Sequence, residues 1–124
     1  MAGVAQALGP LGVRCYAVEP AGAAAIAGKP VTQADHPIQG GGYSMGDLAH
    51  LRDVPLAGHL TVTGHEAKNA ANMLARTEGI FGGFSGGANV AAALNLLRGP
   101  EKGGTVGVVI CDSGLKYLST DLWA

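Results

Sequence analysis

Hydrophobic positions along the chain fall into short blocks, separated by glycine, proline and polar residues. Residues 1–8 are apolar almost throughout and are stopped by Gly9-Pro10, which predicts a short helix. Residues 13–18 (Val-Arg-Cys-Tyr-Ala-Val) read as a strand ended by Glu19-Pro20. The alanine-rich residues 21–27 read as a helix stopped by Gly28. Residues 32–56 show no period, and a loop of that length inside a compact domain is often functional. Residues 60–62 predict a short strand. Thr63 and Glu66 then have capping-box spacing, in which the threonine accepts from the N3 amide and the glutamate reaches back. Ala67, Ala70, Ala71 and Leu74 come next at i, i+3, i+4 and i+7, the buried face of a helix that Gly79 ends. After a glycine-laden connection, Ser85 is expected to cap a helix over 86–98 stopped by Gly99-Pro100. The β-branched run 105–110 predicts a final buried strand. Strands alternating with helices predict an α/β fold, a mostly parallel, doubly wound sheet with flanking helices.

Composition narrows this picture. A chain of 124 residues is one domain by length, and 48% hydrophobic against 14% charged residues excludes a disordered or coiled-coil chain. The net charge of -1 gives no basic surface for nucleic acid or membrane, so neither is expected as a partner. No apolar stretch reaches the roughly 20 residues of a membrane-spanning helix, and the first residues lack the basic region of a signal peptide. Cys15 and Cys111 fall with the predicted buried strands and show no metal-ligand spacing. They read as packed thiols in a reduced, cytoplasmic setting. His36, His50, His59 and His65 form no ligand grouping, so no metal is expected.

Three segments offer chemistry. The last strand runs into Cys111-Asp112-Ser113-Gly114, which puts a hydroxyl at the carboxyl edge of a sheet, where open α/β sheets bind ligands. On residues alone Ser113 is either a turn residue or a ligand-binding one, and Asp112 reads as a partner for backbone amides. His36-Pro37-Ile38-Gln39-Gly40-Gly41-Gly42-Tyr43 reads either as an ordinary flexible loop or as a glycine-hinged segment over a pocket. Residues 83–87 (Gly-Phe-Ser-Gly-Gly) overlap a G-x-S-x-G pattern, but no histidine comes after His65, which rejects a hydrolase elbow.

The run Asp112-Ser113-Gly114-Leu115-Lys116-Tyr117-Leu118-Ser119-Thr120 resembles the C-terminal signature of the cysteine synthase and cystathionine β-synthase family, enzymes of fold type II that use pyridoxal 5'-phosphate. Residues 36–42 resemble the family's H-x-I-Q-G-I-G loop, with Gly41 in place of the usual isoleucine. Residues 78–88 resemble its E-G-[IL]-x-x-G-x-S-[SG]-G-A stretch, and Val18-Glu19-Pro20 its V-E-P, where Glu19 caps or buttresses a turn. The resemblance implies that Ser113 hydrogen-bonds the pyridine nitrogen of the cofactor. It further implies that Gln39, Gly40 and Tyr43 border the substrate pocket. Tyr43 falls where cystathionine β-synthases carry a tyrosine, so the choice between the two activities stays open. A neutral hydroxyl at the ring nitrogen makes the cofactor a weaker electron sink than a carboxylate would, adequate for loss of a β-leaving group.

The family's Schiff-base lysine, in an S-x-K-D-R-type context, has no counterpart among Lys29, Lys68, Lys102 and Lys116. Its T-S-G-N-T-like substrate loop and G-T-G-G-T phosphate loop are also unmatched, and residues 1–4 resemble the residues directly after the phosphate loop. The expectation is therefore the C-terminal part of the large domain of a fold-type-II enzyme, incomplete as a catalytic unit. It would be a split subunit, a cleavage product or part of a longer chain, with no catalytic residue of its own. Assembled with an N-terminal half, and as a dimer or other homo-oligomer, it would carry out β-replacement on an activated serine. O-Acetylserine plus sulfide to cysteine is the leading reaction. The rivals are cystathionine synthesis, serine/threonine dehydration, and a non-catalytic module that binds a partner chain.

Overall fold

The computed structural model describes residues 1–41 and 43–124. Helix α1 (Ala2–Leu8) passes through a 3-10 turn (Gly9–Leu11) toward strand β1 (Tyr16–Pro20). A long irregular segment, interrupted only by a 3-10 turn at Ala49–Leu51, leads to strand β2 (Gly58–Val62). Helices α2 (Gly64–Glu78) and α3 (Phe84–Arg98) come next, and the chain closes through 3-10 turns at Gly114–Tyr117 and Asp121–Trp123. The two strands lie parallel, with Tyr16 opposite Gly58 and Pro20 opposite Val62. The α/β class and the parallel pairing are those expected from the alternation of strand and helix.

Helix α2 starts where its local chemistry dictates. Thr63 Oγ1 accepts from the Glu66 amide at 3.2 Å, while Glu66 Oε2 accepts from the Thr63 amide at 2.8 Å. Both bonds satisfy donors that a helix start otherwise leaves open. Gly79 ends the helix at φ 69°, a left-handed conformation that costs glycine nothing. Ala67, Ala70 and Ala71 form its buried stripe and meet Ala88, Ala91 and Ala92 of α3. The helices approach closely because these residues are small. A Cβ added at Gly87 would stand 2.9 Å from Ala71 Cβ and 3.0 Å from Ala71 N.

An alanine interface buries little area per residue, so the larger side chains of the core carry disproportionate weight, about 1.5–3 kcal/mol each when fully buried. Val62 and Ile38 come from β2 and the long loop, Phe84 from the start of α3, and Tyr117 and Leu122 from the C-terminal turns. Asn72 of α2 donates to the Leu122 carbonyl at 2.7 Å and fastens those turns to the helix. At the other end of the pair, Tyr16 Oη donates to Glu101 Oε1 at 2.6 Å, and Arg14 pairs with the same carboxylate.

Four expectations need correction. Residues 21–27 form turns rather than a helix. Gly22 sits at φ 83°, and the buried Glu19 carboxylate accepts from the Ile26 and Ala27 amides at 2.8 and 2.9 Å. Those amides are satisfied by a side chain, which fits the turn-buttressing expected of Glu19. Residues 105–110 run without ladder bonds, because among the described residues no strand lies beside them. Val109 is consequently 67% exposed. Ser85 is not the cap of α3: the helix begins at Phe84 with Gly83 at the N-cap position. Finally, neither cysteine is buried. Cys15 is half-buried and Cys111 exposed, the latter because the segment that carries it is unpaired.

Candidate functional site

Ser113 stands where the unpaired segment turns into the Gly114–Tyr117 helix, and it is the N-cap of that turn. Its backbone forms an isolated antiparallel bridge with Gly82, and the Gly114 amide donates to the Phe81 carbonyl at 3.0 Å. The residue is therefore held from the side of the α2–α3 connection. Its Oγ accepts from the Leu115 amide at 3.3 Å, and the hydroxyl proton goes to no acceptor among the described residues. An exposed hydroxyl with an uncommitted proton can donate to a ligand acceptor. The ring nitrogen of a pyridine cofactor is such an acceptor.

Around this turn the chain gathers most of its aromatic side chains. It has two phenylalanines, three tyrosines and one tryptophan, and both phenylalanines, Tyr117 and Trp123 meet here. Phe81 and Trp123 stack with centroids 4.3 Å apart, and Trp123 Nε1 donates to the Gly114 carbonyl at 3.0 Å. Phe84 and Tyr117 meet edge to face at 5.6 Å. Tyr117 Oη donates to Asp112 Oδ2 at 2.7 Å, and Lys116 Nζ lies 3.7 Å from the same oxygen. Asp112 thus takes a tyrosine hydroxyl rather than the backbone amides expected for it. Burial first, then the hydrogen bond to the Asp112 carboxylate, pushes the Tyr117 hydroxyl up to about 12. Sequence reasoning missed Tyr117 and Trp123. The available signal was the scarcity of aromatics, most of which fall in residues 81–84 and the C-terminal stretch from Tyr117 onward.

The glycines here answer to space. A Cβ at Gly114 would meet Trp123 at 2.6 Å and Phe81 at 2.9 Å, and one at Gly82 would meet Ile110 at 2.7 Å. At Gly83 an added Cβ would collide with both Tyr117 and Asp112. The glycine-rich stretch packs closely against the turn that carries Ser113.

The loop residues are placed less tightly. Ile38 is buried in the core and anchors the segment, so Gln39 and Gly40 emerge at the surface beside it. Gln39 helps line an open cleft of about 400 Å³ together with His36, Phe84 and Asp121. A larger cleft of about 510 Å³ adjoins it at the carboxyl ends of the two strands, between Pro20, the start of α2 and Asp121. Gly40, at φ 83°, and Tyr43, 69% exposed, line neither cleft, and nor does Ser113. Gly42 lies outside the described residues.

Lys68 lines the larger cleft but faces Asp121 Oδ2 at 3.1 Å, and His65 Nε2 lies 2.9 Å from Asn69 Nδ2. The cleft's lysine is ion-paired and stands in no Schiff-base context. Among the described residues no group of histidine, cysteine and acidic side chains could hold a metal ion, and no helix is long and apolar enough to cross a membrane.

Comparison with known proteins shows the family. Residues 1–112 match the family model of pyridoxal-phosphate dependent enzymes. Cysteine synthase A of Salmonella typhi is 38% identical over 106 residues, covering 82% of this chain and 32% of the relative. A cysteine synthase structure from Entamoeba histolytica superposes with a TM-score of 0.87 at 31% identity, covering 98% of this chain and 36% of that one. The O-acetylserine dependent cystathionine beta-synthase of Helicobacter pylori superposes with a TM-score of 0.85 at 27% identity, over 99% of this chain and 40% of that one. The chain spans about a third of the length of the curated relatives it matches.

Proposed function

We propose, for a chain that belongs to the family of pyridoxal-phosphate dependent enzymes, that it supplies the ring-nitrogen end of a cofactor site performing β-replacement on an activated serine. The substrate pair is O-acetylserine and sulfide, and the product cysteine. The observation that carries the reading is Ser113: a hydroxyl with an uncommitted proton, set on a turn pinned from two sides. The cofactor, when bound, supplies the electron sink for loss of the β-leaving group. Ser113 donates one neutral hydrogen bond to the ring nitrogen and so leaves it without the full positive charge a carboxylate would stabilise. Gly82 and Gly114 give that turn a single packing, because any side chain there would meet Ile110, Phe81 or Trp123. Gln39, on a loop anchored by Ile38, borders the substrate.

The remaining parts of the site come from polypeptide beyond these 124 residues, in the same chain or a second one. Two features support this. Residues 105–110 offer an apolar segment with no strand beside it among the described residues, and Lys68 is engaged with Asp121. The nearest alternative keeps the site and changes the nucleophile. The resemblance to an O-acetylserine dependent cystathionine beta-synthase makes homocysteine the competing thiol.

The test is product identity. The assembled, cofactor-loaded protein is incubated with O-acetylserine and either sulfide or homocysteine, and products are identified by mass. Cysteine formed in preference to cystathionine is the expected result. Preference for homocysteine would assign the second reading, and turnover of neither would overturn both.

A further inference from the structure

We infer that Tyr117 and Asp112 form a positioning pair that fixes the direction of the Ser113 hydroxyl toward its ligand. The inference rests on the Ser113 role proposed for the cofactor site and adds a role for two residues that touch neither substrate nor cofactor.

Three features of the geometry carry it. Ser113 is extended, at φ -82° and ψ 140°, and shares a peptide unit with Asp112. Whatever anchors Asp112 therefore limits how the Ser113 backbone can turn. Asp112 is anchored by the Tyr117 hydroxyl at 2.7 Å, five residues on, across the 3-10 turn that Ser113 itself caps. Tyr117 in turn is held fast: it is 3% exposed, sits edge to face against Phe84, and closes over Gly83, where no side chain would fit. The helix start, the tyrosine, the aspartate and the serine thus form one rigid chain of contacts. The opposite edge of the turn is held separately by Gly82, Phe81 and Trp123. With one side released, the serine backbone would remain attached but could rotate about the bridge to Gly82.

Hydrogen-bond logic also selects these two residues over the others nearby. Lys116 is 70% exposed on its side chain and 3.7 Å from the carboxylate, too far and too solvated to fix it. The Trp123 bond goes to the Gly114 carbonyl and holds the turn as a whole, without bearing on the residue before it.

The experiment reads the ring nitrogen directly. The assembled protein is loaded with pyridoxal phosphate labelled with ¹⁵N in the ring, and the nitrogen resonance is compared among variants. Ser113→Ala should move it most. Tyr117→Phe, which keeps the ring packing and removes only the hydroxyl, should move it in the same direction by less. Asp112→Ala should match Tyr117→Phe, and the double variant should add nothing further, since the two act as one unit. Asp112→Asn retains an oxygen for the tyrosine and should restore most of the wild-type position. The Trp123 emission, unchanged in Tyr117→Phe, would show that the turn is still closed. A resonance moved by Ser113→Ala but left at its wild-type position by both Tyr117→Phe and Asp112→Ala would overturn the pair. A resonance indifferent to Ser113→Ala would instead remove the Ser113 role, and the pair's role with it.

Discussion

At the scale of single residues, the turn at Ser113 is set by packing and by the Tyr117–Asp112, Trp123–Gly114 and Gly114–Phe81 hydrogen bonds, and the sequence showed only half of this. Asp-Ser-Gly after a β-branched run pointed to Ser113, because a strand end and a turn residue are local features. Tyr117, Trp123 and Phe81 were invisible as a group because their association depends on a fold that brings residues 81–84 against the C-terminal turns. Asp112 was assigned the wrong partner for the same reason: its partner lies across a turn whose shape the sequence does not state. Tyr117 also makes a measurable claim. Its hydroxyl is raised from 10.0 to about 12, so the folded protein holds a proton that the unfolded chain releases earlier. The stabilisation this gives is whole below pH 10 and is lost as pH rises through about 12. Tyr117→Phe should lower stability near neutrality by about 1.5–3 kcal/mol, the usual worth of a bond to a charged group. It should also flatten the alkaline loss. Tyr16 is raised as well, chiefly by its bond to Glu101, so the difference between wild type and Tyr117→Phe across alkaline denaturant titrations isolates the one residue.

At the scale of elements, legibility tracked locality. The Thr63–Glu66 box and the Gly79 stop were read correctly because each needs only residues within one helical turn. The helix expected over 21–27 failed because Glu19, several residues upstream, takes the amides of Ile26 and Ala27 into its buried carboxylate. The strand expected over 105–110 failed for a different reason: its pattern is right, but a strand exists only beside another, and none is there among the described residues. The α2–α3 interface gives a prediction that contrasts two glycines. Gly87→Ala pushes a methyl group into Ala67 and Ala71 and should cost about 1–3 kcal/mol. Gly3→Ala, in α1 with nothing within 4 Å of the new methyl, should be neutral or stabilising by about 0.5–1 kcal/mol. Urea unfolding of the two variants checks both; equal effects would mean that the helices are not packed at backbone distance.

At the scale of the whole molecule, the described residues form a parallel pair with α3 packed against it, α2 packed on α3, and the last C-terminal turn fastened to α2. Helix α1 is seven residues long with only Ala5 buried, well short of what an isolated helix needs. Val4, Leu11, Val108 and Val109 are exposed apolar side chains, surface that the proposed assembly with further polypeptide would cover. The family was legible from its signatures, since the glycines and serine that answer to space and hydrogen bonding here fall in short contiguous strings. Substrate choice was not, because Gln39, Gly40 and Tyr43 are exposed on a loop and of the three only Gln39 lines a cleft. The proposed chemistry turns on Ser113 giving the cofactor ring a neutral donor. Its most direct test is the rate of cysteine formation from O-acetylserine and sulfide in assembled wild-type, Ser113→Ala and Ser113→Asp proteins at saturating cofactor. The alanine variant should lose a modest part of the rate, in line with one neutral hydrogen bond of about 0.5–1.5 kcal/mol. The aspartate variant should lose more, because its carboxylate would hold the ring nitrogen protonated. Equal rates in all three would contradict the account and leave Ser113 as the cap of a turn.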